Sequence, residues 1–119
     1  MSTVKDVEQK AIDFVLEYER KAGRSAKNVS RTGCGYDVLS SDRKIEVKGD
    51  SAPKPGFENF NRYNFQALQK EDNFWLYVVY NIKAGNPKLV VLDKNEVLRR
   101  AKFTYSWEIP IWKKDMTKG

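Results

Sequence analysis

Residues 35–49, with the sequence GYDVLSSDRKIEVKG, contain two short segments in which polar and apolar side chains alternate. The first segment covers residues 35–40 and the second covers residues 44–48, and such alternation is typical of a strand with one buried face. The polar residues between them, 41–43, favour a turn. The stretch therefore predicts a β-hairpin.

The length of the turn predicts which residues of the hairpin oppose each other. A loop made of Ser41 and Asp42 alone brings Asp37 directly opposite Glu46. Because side chains alternate between the two faces of a strand, one face is expected to join the core and the other to carry the polar groups. The expected core face holds Tyr36, Val38, Ile45 and Val47, and the expected polar face holds Asp37, Leu39, Glu46 and Lys48.

The opposed carboxylates of Asp37 and Glu46 predict a cation site. Like charges whose Cβ atoms lie about 5 Å apart on neighbouring strands repel each other unless a positive charge lies between them. Mg²⁺ or Mn²⁺ would supply that charge, because these ions prefer oxygen ligands and commonly use one or two carboxylates with water and phosphate. Lys48 is expected on the same face, where its ammonium group would orient or deprotonate a water and offset phosphoryl charge. The alternative interpretation is an exposed hairpin face with a surface ion pair.

The composition predicts one domain without a membrane span. The 119 residues suffice for one hydrophobic core but not for two, so residues 1–119 are expected to form a single domain. No apolar run approaches the roughly 18 residues that cross a bilayer. The N-terminus is charged and amphipathic and lacks the apolar core of a secretory signal, so a cytoplasmic location is expected.

The residue types present limit the chemistry and suggest a partner. Cys34 is the single cysteine and the sequence has no histidine, which excludes intramolecular disulfides, zinc clusters and catalysis by imidazole. Acid–base chemistry must then come from carboxylates, lysine or tyrosine. The formal net charge of +6 and the pI near 9.4 favour nucleic acid as a partner, through phosphate attraction and counterion release.

The elements around the hairpin predict a mixed α/β sandwich built on one sheet. Residues 4–22 have apolar side chains at three- and four-residue steps, which predicts an amphipathic helix capped by Ser2 or Thr3. A polar connector is expected at 24–32 and a loop with glycine and proline at 49–56. The expected inward residues of the first helix are Val4, Val7, Ala11, Phe14, Val15, Tyr18 and Ala22.

The second half of the chain is expected to add two helices and three strands. A helix over 59–70 would direct Phe60, Tyr63 and Ala67 inward. The other expected elements are a doubly buried strand over 74–80, a second buried strand over 88–92, a helix from Asp93 to about Lys102, and an edge strand over 103–112 ended by Pro110. The lysine-rich tail after the last strand is expected to fray.

Two runs, GYDV at 35–38 and IEVKG at 45–49, closely resemble the motif of the PD-(D/E)XK nuclease superfamily. Within that superfamily the chain resembles the domain at the C-terminus of the plant protein NO VEIN, and more distantly the Mrr-type endonucleases and archaeal Holliday-junction resolvases. The resemblance covers most of residues 4–93, and glycine and tyrosine stand at 35–36 where the motif has proline. It implies an α/β fold with a restriction-endonuclease-like αβββαβ core, in which helices flank a mixed central sheet.

The resemblance also assigns roles to residues. It implies that Asp37 and Glu46 bind the metal, that the carbonyl of Val47 adds a ligand, and that Lys48 assists the attacking water. Related nucleases bring a glutamate of the first helix to the metal and a polar residue from the helix after the motif, for which the expected residues are Glu8 and Gln66. Weaker candidates are Glu17 and Glu19 on the first helix and Asn64 and Gln69 on the second.

The expected function is that of a Mg²⁺- or Mn²⁺-dependent nuclease that hydrolyses phosphodiester bonds, and the expected substrate is DNA. Arg31, Lys54 and Arg62 are the expected contacts to phosphate. A homodimer is compatible with this expectation, because dimers are frequent among such small nucleases. Two alternatives are a non-catalytic nucleic-acid-binding module of a larger DNA-processing or defence complex, and a protein-interaction domain in which the motif is only an ion-pair network.

Overall fold

The computed structural model of the chain describes residues 3–103 and 106–116. Within them, helices and strands follow one another in a mixed α/β order, as expected. The helices are α1 (Val4–Lys21), α2 (Arg62–Lys70), α3 (Lys94–Arg100) and α4 (Lys113–Met116). The strands are β1 (Ala26–Asn28), β2 (Val38–Ser40), β3 (Arg43–Gly49), β4 (Phe57–Phe60), β5 (Phe74–Tyr80), β6 (Lys88–Asp93), β7 (Lys102–Phe103) and β8 (Trp107–Pro110).

The central sheet has five strands in the order β1-β2-β3-β5-β6. Strands β3 and β5 are parallel, and the other neighbours are antiparallel. The connection between the two parallel strands contains α2, as a parallel pair requires a crossover. The expected αβββαβ order is therefore present as α1, β1 to β3, α2 and β5, while β4, β8 and β7 form a separate three-stranded sheet.

The central sheet is covered on both faces. On one face α1 packs against Val38, Ile45, Val47, Tyr77 and Val79. On the other face α2, α3 and the smaller sheet enclose alternate residues of β5 together with Phe60, Leu68, Val97 and Ile109. This arrangement buries β5 on both sides and confirms the prediction of a central, doubly buried strand over 74–80.

Helix α1 begins at a capping box. The Thr3 side chain accepts a hydrogen bond from the Asp6 N–H, and the Asp6 carboxylate accepts one from the Thr3 N–H, both at 3.1 Å. The predicted helix and the N-cap at Thr3 are confirmed, and Ser2, the other candidate, lies outside the described residues.

The buried face of α1 differs from the predicted stripe. Ala11, Val15 and Glu19 are fully buried, and they repeat at the four-residue spacing that places side chains in a row along a helix. The predicted inward residues Val4 and Tyr18 are instead exposed, because the row in contact with the sheet does not pass through their positions. Ala22, also predicted to face inward, is exposed at the C-cap.

The hairpin formed by β2 and β3 has the predicted register. Val38 pairs with Ile45 and Ser40 pairs with Arg43, so the turn consists of two residues. Tyr36, however, was predicted to share a face with Val38 and instead packs into the core on the opposite face of the sheet. The reason is that the strand begins only at Val38, so the alternation of faces does not extend back to residue 36.

Two strands, β1 and β4, were not predicted as such. Strand β1 lies within the expected connector and pairs with β2 at the edge of the sheet. Strand β4 occupies the start of the expected helix over 59–70, and α2 begins after Asn61, which caps it. Tyr63, expected inward, is 60% exposed, because a helix that starts there turns its other side to the core.

The last part of the chain also differs in detail. Strand β6 alternates between buried and exposed residues because Val90 and Leu92 pack into the core on one face while Val91 on the other face is exposed, so it is not a fully buried strand. The predicted start of α3 at Asp93 is confirmed, and the helix ends at Arg100. The predicted edge strand corresponds to β8, but the prediction of an edge was wrong, because β8 lies between β4 and β7 in the smaller sheet, and α4 follows it. Residues 104–105 of that prediction and 117–119 of the tail lie outside the described part.

In residues 3–103 and 106–116, no helix has both the length and the apolar character needed to cross a bilayer.

Candidate functional site

A cavity of about 880 Å³ opens where the parallel strands β3 and β5 end. The loops that leave these two strands are joined by backbone hydrogen bonds, from the Asp50 N–H to the Val79 carbonyl and from the Ile82 N–H to the Asp50 carbonyl. Carboxyl ends of parallel strands meet at one edge, where α/β proteins commonly bind ligands. We call this space the edge cavity, and the residues that line it include Glu8, Asp37, Glu46, Val47, Lys48, Asp50 and Lys83.

Asp37 reaches the edge cavity from the start of β2. Its backbone N–H donates to the Ile45 carbonyl at 2.9 Å, which extends the hairpin ladder by one residue. Its side-chain Oδ2 accepts a hydrogen bond from the Val47 N–H, also at 2.9 Å. The carboxylate thus accepts the hydrogen bond that a backbone carbonyl would accept if β2 continued beside β3, so β3 fixes the position of the carboxylate.

Glu46 and Lys48 project from β3 on the same side. Glu46 is 5% exposed, and the Lys48 Nζ lies 3.2 Å from its Oε2. The same ammonium group lies 3.4 Å from the Asn64 Oδ1 and 5.7 Å from the centre of the Phe60 ring. The Lys48 ammonium therefore interacts with the Glu46 carboxylate, the Asn64 amide oxygen and the Phe60 ring, and these contacts limit its motion at the cavity wall.

Both carboxyl groups have pKa values raised above their ordinary range. Burial, followed by the charge of Asp37, raises the pKa of Glu46 to about 8. Burial also raises the pKa of Asp37, against the opposing effect of its hydrogen bond with Val47. Lys48 offsets part of the cost of charging both groups, but one ammonium does not balance two carboxylates of which Glu46 is buried and Asp37 half-buried. The pair is therefore a place where an added cation would be stabilised.

The oxygen donors of the site fit a magnesium-type ion. In the described chain no group of three or more Asp, Glu, Cys or His side chains converges on one point, so the carboxylate pair is the side-chain contribution. The Ile45 carbonyl points toward β2, and because carbonyls alternate along a strand, the carbonyl of Val47 lies on that same side as Asp37. Two carboxylates and a carbonyl leave positions for water and phosphate, as Mg²⁺ prefers.

Helix α2 contributes Asn64 to the site, not Gln66. Asn64 is buried and contacts Lys48, and its Nδ2 donates to the Gly35 carbonyl at 3.3 Å. Gln66, the residue expected from the sequence, is exposed, and the structure instead brings its rival Asn64 into contact with Lys48. Two residues along a helix correspond to a rotation of about 200°, which turns Gln66 away from Lys48. The third candidate, Gln69, is also exposed.

The three glutamates proposed on α1 have different surroundings. Glu8 is exposed at one side of the edge cavity, and its charge contributes to the raised pKa of Asp37. Glu17 is exposed and pairs with Lys21 at 3.0 Å. Glu19 is fully buried in an ion pair with Arg24 and accepts a hydrogen bond from the Tyr77 hydroxyl at 2.9 Å. Of the three, Glu8 alone lines the edge cavity.

Asp50 and Lys83 also line the edge cavity, and neither was among the residues predicted from the sequence. Each follows the end of one of the two parallel strands. An apolar strand, a helix and another apolar strand are the usual signal of a parallel pair, and that signal would have placed both loops at one edge.

The predicted phosphate contacts lie outside the cavity wall. Arg31, Lys54 and Arg62 are exposed, and none of them lines the edge cavity. The Arg62 guanidinium lies 5.2 Å from the centre of the Tyr63 ring, on the turn of α2 next to Asn64. Of the three, Arg62 is the closest in sequence to a residue of the site, because it lies two positions before Asn64.

The sequence of residues 7–92 matches the family described as Protein NO VEIN, C-terminal. The chain belongs to this family. The match extends from the first turns of α1 to the end of β6, so the NO VEIN C-terminal domain includes Glu8, both carboxylates of the pair, Lys48, Asn64 and Lys83. Among proteins with curated descriptions, none matches the sequence.

Proposed function

We propose that this NO VEIN C-terminal domain is a metal-dependent nuclease of the PD-(D/E)XK type that hydrolyses phosphodiester bonds, with DNA as its substrate. The observation that carries the proposal is the convergence of Asp37, Glu46 and Lys48 on the wall of one open cavity. In a simple surface ion pair the acids stay exposed to water. Here the two neighbouring carboxylates are partly or fully shielded from water, which is costly without a cation.

Each residue has a role in the proposed reaction. Asp37 and Glu46, with the Val47 carbonyl, would hold Mg²⁺ or Mn²⁺. When bound, such an ion supplies Lewis-acid stabilisation of phosphoryl oxygens and lowers the pKa of water. The Lys48 ammonium donates hydrogen bonds to the attacking water and to the phosphoryl oxygen that gains charge in the transition state. Asn64 keeps that ammonium at the cavity wall.

The charges around the edge cavity suit a phosphodiester backbone. Lys83 lies on the cavity wall, where its ammonium can pair with a phosphate on one side of the bond that is cut. Arg31, Lys54 and Arg62 are exposed and add to a net charge of +6, which favours association with a polyanion at low salt. These contacts position the backbone and carry no preference among bases.

The test is cleavage by the full chain of labelled single-stranded, duplex and junction DNA and of RNA, over a titration of Mg²⁺ and of Mn²⁺. Lys48→Met and Asp37→Asn are expected to lower the rate by at least about 100-fold, because each removes a charge that acts on the transition state. The matched controls are Lys21→Met and Asp13→Asn on exposed positions of α1, which should cleave like the wild type.

Cleavage that is unchanged in Lys48→Met or Asp37→Asn would refute the assignment. Salt-sensitive binding of the same DNA without turnover, at every metal concentration, would instead support a non-catalytic nucleic-acid-binding module. Each variant is to be checked by its unfolding curve, so that loss of folding is distinguished from loss of chemistry.

A further inference from the structure

A second pair of carboxyl groups lies next to the first. Asp50 directly follows β3 and lines the edge cavity, and Glu58 is on β4 in the smaller sheet, opposite Ile109. The loop between β3 and β4 brings the Glu58 carboxyl within hydrogen-bonding reach of the Asp50 carboxyl. The loop that follows β3 and strand β4 of the smaller sheet therefore meet at this point.

Glu58 is buried and incompletely satisfied. It is 9% exposed, and its Oε2 has no hydrogen-bond partner among the described residues. Asp50 uses Oδ1 to accept a hydrogen bond from the Ala52 N–H at 2.9 Å, which fixes the carboxylate and leaves Oδ2 for another partner. A protonated Glu58 can share its proton with Asp50, but once Glu58 is ionised no donor in the described part of the chain reaches its buried Oε2, so the ionised pair favours a cation beside it.

The surroundings of the pair favour a cation. Burial, and then the neighbouring Asp50 carboxyl, raise the pKa of Glu58 to about 8, and the charge of Lys48 lowers it only in part. Four carboxylates and two ammonium groups line the edge cavity, so it is acidic within a chain of net charge +6. In octahedral coordination at 2.0–2.1 Å, adjacent ligand oxygens are about 3 Å apart, which is also the separation of oxygens within hydrogen-bonding reach.

We propose that Asp50 and Glu58 form a second divalent-cation site, separate from the Asp37 and Glu46 pair, for a magnesium-type ion held by Asp50 Oδ2 and Glu58 Oε2. Lys48 is close to both carboxyl pairs, since its charge lowers the pKa of Glu46 and that of Glu58. Water completes the coordination, as is usual for Mg²⁺ and Mn²⁺.

The experiment is a count of Mn²⁺ ions bound per chain, from the electron paramagnetic resonance signal of free Mn²⁺ titrated into the full chain. It is performed above about pH 8, where Glu58 is ionised. The wild type is expected to bind two ions, and Glu58→Gln and Asp50→Asn are each expected to bind one. The matched control is Glu108→Gln on the neighbouring strand β8, which should still bind two.

The outcomes separate this proposal from the proposed function. Two ions in both Glu58→Gln and Asp50→Asn would overturn the second site, as would a single wild-type ion that only Asp37→Asn removes. A single wild-type ion that only Glu58→Gln and Asp50→Asn remove would support the site and contradict the metal role of Asp37. No bound ion in the folded wild type would overturn both.

Discussion

The backbone N–H of Val47 donates a hydrogen bond to the carboxylate of Asp37 at 2.9 Å. This bond satisfies a backbone group at the point where β2 no longer runs beside β3, and it turns the Asp37 carboxylate toward Glu46. One residue therefore completes the hairpin ladder and forms half of the candidate metal site.

Replacement of Asp37 is expected to separate these two roles. Asp37→Ala leaves the Val47 N–H without an acceptor and should lower the free energy of unfolding by about 1–3 kcal/mol. Asp37→Asn keeps an oxygen acceptor and removes a charge next to Glu46, so its metal-free stability should equal or exceed that of the wild type. Urea denaturation measures both values, and an equal loss in the two variants would contradict this account.

The buried acids should make the metal-free protein less stable at high pH. The pKa of Glu46 and that of Glu58 rise from 4.5 to about 8, so the folded state binds more protons than the unfolded state between these values. The free energy of unfolding then falls as the pH rises through this window, by at most about 1.4 kcal/mol per pH unit for each group, and levels off above it.

This pH effect is isolated by comparison with the double variant Glu46→Gln with Glu58→Gln. Its advantage in stability over the wild type should grow from pH 4.5 to about pH 8, and saturating Mn²⁺ should reduce it by stabilising the ionised wild type. The measurement is urea denaturation across that range. A difference that stays constant with pH would be evidence against the raised pKa values.

Asn64 is expected to matter for cleavage and Gln66 is not. Asn64→Ala removes the Oδ1 that contacts Lys48 and should lower the rate constant of cleavage by about tenfold, with a smaller change in substrate binding. Gln66→Ala, on the exposed side of the same helix, should leave both unchanged. Single-turnover kinetics with a folding check on each variant tests this, and equal effects of the two changes would count against the role of Asn64.

Glu19 is expected to stabilise the fold and to have no part in the chemistry. Glu19→Ala leaves Arg24 and the Tyr77 hydroxyl without their buried partner, which should cost about 3 kcal/mol of stability. The control Glu17→Ala removes an exposed pair with Lys21 and should change stability by less than about 1 kcal/mol. Thermal unfolding compares them, and a Glu19→Ala protein as stable as the control would contradict the expectation.

Gly49 sets the distance between β3 and α1. A Cβ at this position would lie 2.9 Å from the Val7 carbonyl oxygen and 3.0 Å from the Ala11 Cβ, so Gly49→Ala should push the helix away and cost about 1–3 kcal/mol. The control is Gly56→Ala, where a Cβ meets nothing within 4 Å, and its stability should be unchanged or slightly higher. Similar denaturation midpoints for the two variants would show that the close approach is unimportant.

The sequence by itself determined the local features of this protein. The first helix, predicted over 4–22 and observed over 4–21, the two-residue turn and the opposition of Asp37 to Glu46 were all predicted, because capping, turn length and alternation act between residues that are near in sequence. The family resemblance supplied the expected roles of Val47 and Glu8, which local pattern alone does not provide.

Only the tertiary structure decided which distant residues join the site. The parallel pairing of β3 with β5 brings Asp50 and Lys83 to one edge, and the rotation of α2 selects Asn64 over Gln66. The short strand β4, which carries Glu58, forms only because β8 pairs with it across about 50 residues of chain. The physical reason is that strand pairing and helix rotation depend on contacts between distant segments, and alternation or periodicity within one segment carries no information about them.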